Sequence, residues 1–242
     1  MIISYSRQFI FVHIHKTGGD SVAAALAPRL GREDLMLKND WHDWLGARTA
    51  RRSHPELSGL RKHSPASAIA GAVRPGVWDA SFTFAFVRHP VGRTVSLYKY
   101  AARKAEERQR LLPRNAWYLT PAGRPGDPLH WQSVRAFLDA PTFSEFIRHP
   151  LLDHDLAMRP QWYSLSDGNG RLIVDFIGRF ENLQEDFHRI QDRVGLPRSP
   201  LGWHNVSRDP GRTAVTDDDR RFLSERFNED FSRLGYDSAQ DG

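Results

Sequence analysis

Two short stretches of this chain gather the residue types that hold a multiply charged anion. In His15-Lys16-Thr17-Gly18-Gly19-Asp20-Ser21 the glycines let the backbone come close to a ligand, Lys16 adds a full charge, and Thr17 and Ser21 add hydroxyl donors. A helix starting there would aim its N–H groups and the positive end of its dipole at the same point. Residue order decides what kind of loop this is. A Walker A loop sets its lysine after the glycines, whereas Lys16 precedes Gly18 and Gly19, and no glycine lies five residues before Gly18. An ATP or GTP P-loop therefore fits badly. The second stretch, Phe84-Ala85-Phe86-Val87-Arg88-His89-Pro90-Val91-Gly92-Arg93-Thr94-Val95-Ser96-Leu97-Tyr98, ends a strand-like run on Arg88, whose guanidinium fork suits phosphate. The C-terminal end of a strand is where open α/β sheets place their ligand crevice. Ser96 follows eight residues later, about two helical turns on.

A group-transfer reaction at such a site also needs a base. Eleven histidines are present, and an unperturbed imidazole with a pKa of about 6.5 suits the task. His13 and His15 alternate with Phe11 along the first strand-like run and flank the loop. Two histidines two apart, no His-Glu-x-x-His and no cysteine leave no compact metal constellation, so no metal is expected.

The elements that must position these residues can be read from the apolar pattern. Phe9–Ile14 and Ser81–Val87 read as buried strands, the second apolar at nearly every position as a central parallel strand would be. Residues 172–177 read as a third strand. Helices are expected over Ser21–Ala27, ended by Pro28, near Ala66–Ala72, from Gly92 to about Gln109, from a cap at Asn182 through Val194, and as one piece over Asp217–Leu234. Thr142-Phe143-Ser144-Glu145 has capping-box spacing. Strands alternating with helices predict an α/β fold: one P-loop-like domain over residues 1–242, with a central, mostly parallel sheet. Residues 29–80 and 101–160 are the candidate substrate-region insertions.

Composition narrows the partners. Of 242 residues, 34 are Lys or Arg and 29 are Asp or Glu, a net charge of +5. The basic residues are scattered rather than gathered into a stripe, which argues against nucleic acid and for a small, highly charged ligand. No apolar run approaches the roughly 18–20 residues of a membrane span, and no leader or anchor is read ahead of the first strand. A cytoplasmic location is expected.

Taken together, these motifs resemble the sulfotransferases that use 3′-phosphoadenosine 5′-phosphosulfate. His15–Ser21 is similar to their 5′-phosphosulfate loop, within residues 13–21, and residues 84–98 are similar to their 3′-phosphate motif. Asp175-Phe176-Ile177-Gly178-Arg179-Phe180-Glu181-Asn182-Leu183, His204-Asn205-Val206-Ser207 and Asn228–Tyr236 resemble the branch related to the Golgi carbohydrate O-sulfotransferases and its bacterial members. Two positions depart from that pattern: Asp20 stands where threonine is common, and His89 where asparagine or aspartate is usual.

The resemblance implies transfer of a sulfuryl group from 3′-phosphoadenosine 5′-phosphosulfate to a hydroxyl acceptor, a carbohydrate or sugar-containing small molecule, with adenosine 3′,5′-bisphosphate as product and no metal. It implies that Lys16 stabilises the departing phosphate oxygen. Thr17, Gly18, Gly19, Asp20 and Ser21 form the 5′-phosphate loop, and Arg88 and Ser96 hold the 3′-phosphate. Ser207, Arg208 and Arg212 fall in a segment that closes over the nucleotide in relatives. Lys62-His63-Ser64-Pro65-Ala66 resembles the segment carrying the proposed base, which makes His63 the first candidate, with His15 second and a carboxylate from Glu181 or Asp155 third. Gln161 and Trp162 resemble an acceptor-side segment, with core packing the alternative for Trp162. Arg93 is read equally as a ligand contact or a structural ion pair. The alternatives to an enzyme of this kind are a catalytically degenerate nucleotide-binding protein and an ATP-dependent kinase.

Overall fold

The computed structural model describes residues 1–37, 54–111, 131–202 and 213–238. They fall into two compact units, one from Met1–Arg88 and Gln161–Val206, the other from His89–Pro160 and Ser207–Gly242.

The first unit is built on a five-stranded sheet: β1 (Ile2–Ser4), β2 (Phe9–Val12), β3 (Leu35–Met36), β4 (Phe82–Val87) and β5 (Phe176–Arg179), in the order β3-β1-β2-β4-β5. The centre is parallel, with β2 paired to β4 and β4 to β5. Both pairings of β1, to β2 and to β3, are antiparallel. The expected parallel core is thus present, but a hairpin precedes it. The three residues of β1 are too few to show a period, and the turn depends on Gln8, a non-glycine at φ 52°.

Alternation along the central strands sends Phe9, Phe11, Phe84 and Phe86 to one face. There they pack with Val22, Ala23 and Leu26 of α1 (Gly19–Leu26) and with Leu183, Phe187 and Ile190 of α2, the helix at Leu183–Arg193. The register puts Gly178 beside Phe86, and a Cβ on Gly178 would lie 2.5 Å from that ring, so β5 needs glycine there. The β4–β5 register is locked at its start by a reciprocal pair. Asp175 Oδ2 accepts from both the N–H and the hydroxyl of Thr83 at 2.8 Å, and Asp175 N–H donates back to Thr83 Oγ1 at 2.9 Å. This lock explains why the third strand lies at 176–179 rather than at the expected 172–177. The Asp175 side chain occupies the ladder position at the strand's start, and Leu172 makes only an isolated bridge to Ser166. The helix at 183–193 forms as expected, but Asn182 makes no side-chain cap. Two short helices of this unit, α3 (Ala66–Ala72) and α4 (Gln161–Leu165), pack on each other. A one-turn helix, α5, covers Val77–Ala80.

The second unit is helical. Its longest element is α6 (Pro90–Leu111), with proline at the first helical position, where its missing N–H is harmless. Leu97, Ala101 and Ala105, spaced by four, join Phe143, Phe146 and Ile147 of α7 (Phe143–Ile147) and Val134 and Ala136 of α8 (Gln132–Asp139) in one apolar core. Thr142 caps α7 as its sequence predicts, accepting from Glu145 N–H. The expected last helix is two, α9 (Asp217–Arg226) and α10 (Asn228–Leu234), broken at Phe227. Leu223, Phe227 and Phe231 nevertheless remain on one buried face. Thr216 and Asp219 form a full capping box that the spacing alone did not single out. Among the described residues no helix is long and apolar enough to cross a membrane.

Candidate active site

Three strand ends of the first unit, those of β2, β4 and β5, point their C-terminal residues the same way because the strands are parallel. The chain leaving β2 turns sharply. Lys16 takes a left-handed backbone, φ 66°, and Gly18 another, φ 80°, as it leads into α1. At Gly18 a side chain would also meet Leu183 and Phe180 at 3.0 Å. Gly19 is required for a different reason: a Cβ there would lie 2.3 Å from His13 Nε2. The buried imidazole of His13 thus packs directly against the loop backbone. The Thr17 hydroxyl donates to the Ile14 carbonyl at 3.1 Å, closing the loop on itself. What Thr17 can present to an anion is therefore its backbone. Ser21 is buried, and its N–H bonds to the Gly18 carbonyl at 3.0 Å.

The Lys62-His63 segment lies against this loop. His63 Nδ1 is 2.8 Å from the His13 carbonyl oxygen. A carbonyl only accepts, so Nδ1 carries the proton and Nε2 of the neutral ring carries a lone pair. The ring stacks on His15 with centroids 3.6 Å apart and meets His13 edge-on at 4.7 Å. Burial, with positive charge on His15 and Lys62 adding to it, holds the His63 pKa well below the usual imidazole value; the bond to the His13 carbonyl works the other way. Burial likewise holds His13 well below that value. Asp20 sits in the first turn of α1 with Oδ1 at 2.6 Å from Lys62 Nζ and 3.9 Å from His13 Nε2. The carboxylate that departs from the usual pattern is thus matched by a cation from the histidine's own segment.

Arg88 follows β4. Its guanidinium lies 4.0 Å over the Phe180 ring, the same ring that abuts Gly18. Phe180 therefore spaces the loop from Arg88. The sequence does not single it out, although its position one residue after β5 was available as a signal. Gln161 is fully buried and clamps the Arg88 backbone, accepting from its N–H at 2.9 Å and donating to its carbonyl at 2.8 Å. Its amide thereby holds the Arg88 backbone in place. Trp162 is buried too, with Nε1 donating to the Gly170 carbonyl at 3.1 Å, so the core alternative describes it.

Ser96 is a half-buried residue of α6 in the second unit. Arg93 is buried there, donating to the carbonyls of Ala157 and Arg159 at 2.7 and 2.9 Å and lying 3.9 Å from Asp230, so the structural reading of Arg93 holds. His89 places Nε2 at 3.0 Å from the Asp237 carbonyl. Asp155 accepts from the N–H groups of Ser133 and Ala157 at 2.8 Å, which makes it a capping residue rather than a base. Asp186, not the exposed Glu181, takes the Arg179 N–H at 2.8 Å. Ser207, Arg208 and Arg212 lie outside the described residues, and no metal-holding cluster occurs among those described.

Comparison with known proteins places the chain in a family. A family model described as the sulfotransferase family matches residues 1–237. A protein of Archaeoglobus fulgidus, itself described only as uncharacterized, is 28% identical over 133 residues, 55% of this chain and 83% of its own length. No solved structure matches.

Proposed function

The chain belongs to the sulfotransferase family, and from that premise we propose that it moves a sulfuryl group from 3′-phosphoadenosine 5′-phosphosulfate to a hydroxyl of a carbohydrate or sugar-containing small molecule. The donor supplies the sulfuryl group: a new bond forms between the acceptor oxygen and sulfur as the bond from sulfur to the 5′-phosphate oxygen breaks, giving adenosine 3′,5′-bisphosphate. His63 Nε2 takes the proton from the acceptor hydroxyl. Lys16, with the backbone of Thr17, Gly18 and Gly19, meets the negative charge that grows on the leaving phosphate. Arg88, on its Phe180 platform, binds the 3′-phosphate. As in phosphoryl transfer, most of the work is positioning and charge neutralisation.

The observation that carries this reading is the meeting of a Nδ1-protonated, Nε2-basic histidine with a lysine–glycine loop at the end of β2. An anion-holding loop alone would serve a binding protein. A histidine fixed in its base tautomer beside that loop supports transfer.

The test is thermal stabilisation by adenosine 3′,5′-bisphosphate beside ATP and AMP, on the native chain and on Arg88→Ala. At a hundredfold excess over Kd the ligand should add about 2.7 kcal/mol of stability. Selective stabilisation lost in Arg88→Ala supports the donor assignment, whereas an equal response to ATP overturns it. A chain that binds the nucleotide yet transfers to no hydroxyl acceptor would be the nucleotide-binding protein instead.

A further inference from the structure

The turn that carries His63 is fastened to the lysine–glycine loop from both of the loop's flanks. Ahead of the loop, the His13 carbonyl takes Nδ1–H of His63 at 2.8 Å. Behind it, Asp20 in the first turn of α1 takes Lys62 Nζ–H at 2.6 Å. Between these points the turn closes on itself, with Arg61 N–H donating to Ser64 Oγ at 2.8 Å. Lys62 and Asp20 are 42 residues apart, so their bond is a tertiary tie rather than a local one. The lysine side chain is 15% exposed and the aspartate side chain 45%, so the tie runs from a largely buried lysine to a half-exposed carboxylate. A carboxylate beside an anion-holding loop opposes binding unless its charge is matched, and Lys62 matches it.

We propose that Asp20 and Lys62 are positioning residues: their ion pair seats His63 against the loop, so that the base and the anion-holding backbone form one rigid piece. What His63 does when seated rests on the sulfuryl-transfer reading. The seating itself can be read without turnover.

The experiment is nitrogen NMR of the histidine side chains in the whole protein, with the His63 signals assigned through His63→Gln. His63 is faced by His13 and His15 from the end of β2, by Lys62 from its own turn and by the α-amino group of Met1. Removing the Asp20 carboxylate by charge alone makes an imidazole harder to protonate and moves its titration down. Unseating the ring exposes it to water and moves the titration up toward about 6.5. The two effects have opposite signs, so Asp20→Asn separates them. The expected result is an upward move with a mixture of ring tautomers, the same mixture in Lys62→Met, and the Nδ1–H form regained in Asp20→Glu. Once an acceptor is in hand, kcat should fall at least tenfold in Asp20→Asn, while stabilisation by adenosine 3′,5′-bisphosphate is kept or increased. A downward or absent move with the Nδ1–H tautomer intact in both Asp20→Asn and Lys62→Met would overturn the proposal. A native chain that ignores adenosine 3′,5′-bisphosphate would sink the transfer reading while leaving the seating result to stand by itself.

Discussion

A neutral imidazole accepts a proton only at the nitrogen that lacks one, so the His13 carbonyl, by taking Nδ1–H of His63, makes Nε2 the basic atom. Burial and the cations around that ring hold its pKa below the usual value. The base form therefore persists to lower pH than in a solvated histidine. The acidic limb of kcat/KM should accordingly lie below pH ~6.5, which a pH–rate series would check. His63→Ala should lower kcat by about 100-fold or more while leaving stabilisation by adenosine 3′,5′-bisphosphate near normal. Intact transfer in that variant would remove His63 as the base. At Gly19 the argument is steric: Gly19→Ala sets a methyl 2.3 Å from the His13 ring, and that ring is enclosed. A loss of about 1–3 kcal/mol is expected in urea unfolding. Such roles were only partly legible from the chain. Lys16 and Gly18 stand out by type and order, and His63 by the resemblance of its segment to one carrying a proposed base. The reason for Gly19 is an imidazole six residues earlier, which no local pattern reveals.

Elements transmit these demands through their ends. The helix α4 begins at Gln161, whose amide occupies both polar groups of the Arg88 backbone just past β4. Gln161→Leu keeps the volume but strands a buried N–H and C=O, at a cost of about 1–3 kcal/mol. Because the stranded groups belong to Arg88, nucleotide-dependent stabilisation should weaken in the same variant. Calorimetry with and without adenosine 3′,5′-bisphosphate would show both losses, and an unchanged ligand response would confine Gln161 to a role in packing. The same elements show how far sequence reasoning reaches. β2, β4 and α1 are legible because their apolar runs are continuous and their breakers are strong. The start of β5 is not, since it depends on Asp175 engaging Thr83, residues 92 apart. The break at Phe227 is hidden as well, because the apolar stripe continues across it.

For the whole molecule, the lowered pKa values of His13 and His63 are also statements about stability. Below about pH 6.5 the unfolded chain binds protons at these histidines that the folded chain resists binding. Their contribution is present above that pH and lost as pH falls through it. The carboxylates of Asp34 and Asp219 add a second loss at lower pH. In each, burial alone would raise the pKa, but hydrogen bonds win: from Ser6, Gly31 and Ser4 to Asp34, and from Arg148, Ser144 and Thr216 to Asp219. Their contribution is present above the ordinary carboxylate range and disappears as pH falls below it. Urea midpoints measured from pH 8 to pH 2 should therefore decline in two steps, the upper one reduced in His63→Gln. A flat profile between pH 7 and pH 5 would contradict the burial of the two rings.

Lys16 holds a left-handed backbone that glycine or asparagine adopts more readily. A population of variants screened only for surviving heat would therefore drift toward glycine or asparagine at position 16, and one screened for turnover would drift back to lysine. On the sulfuryl-transfer reading, endurance and chemistry select opposite residues at this position, and a disagreement between two such screens would locate the reacting centre.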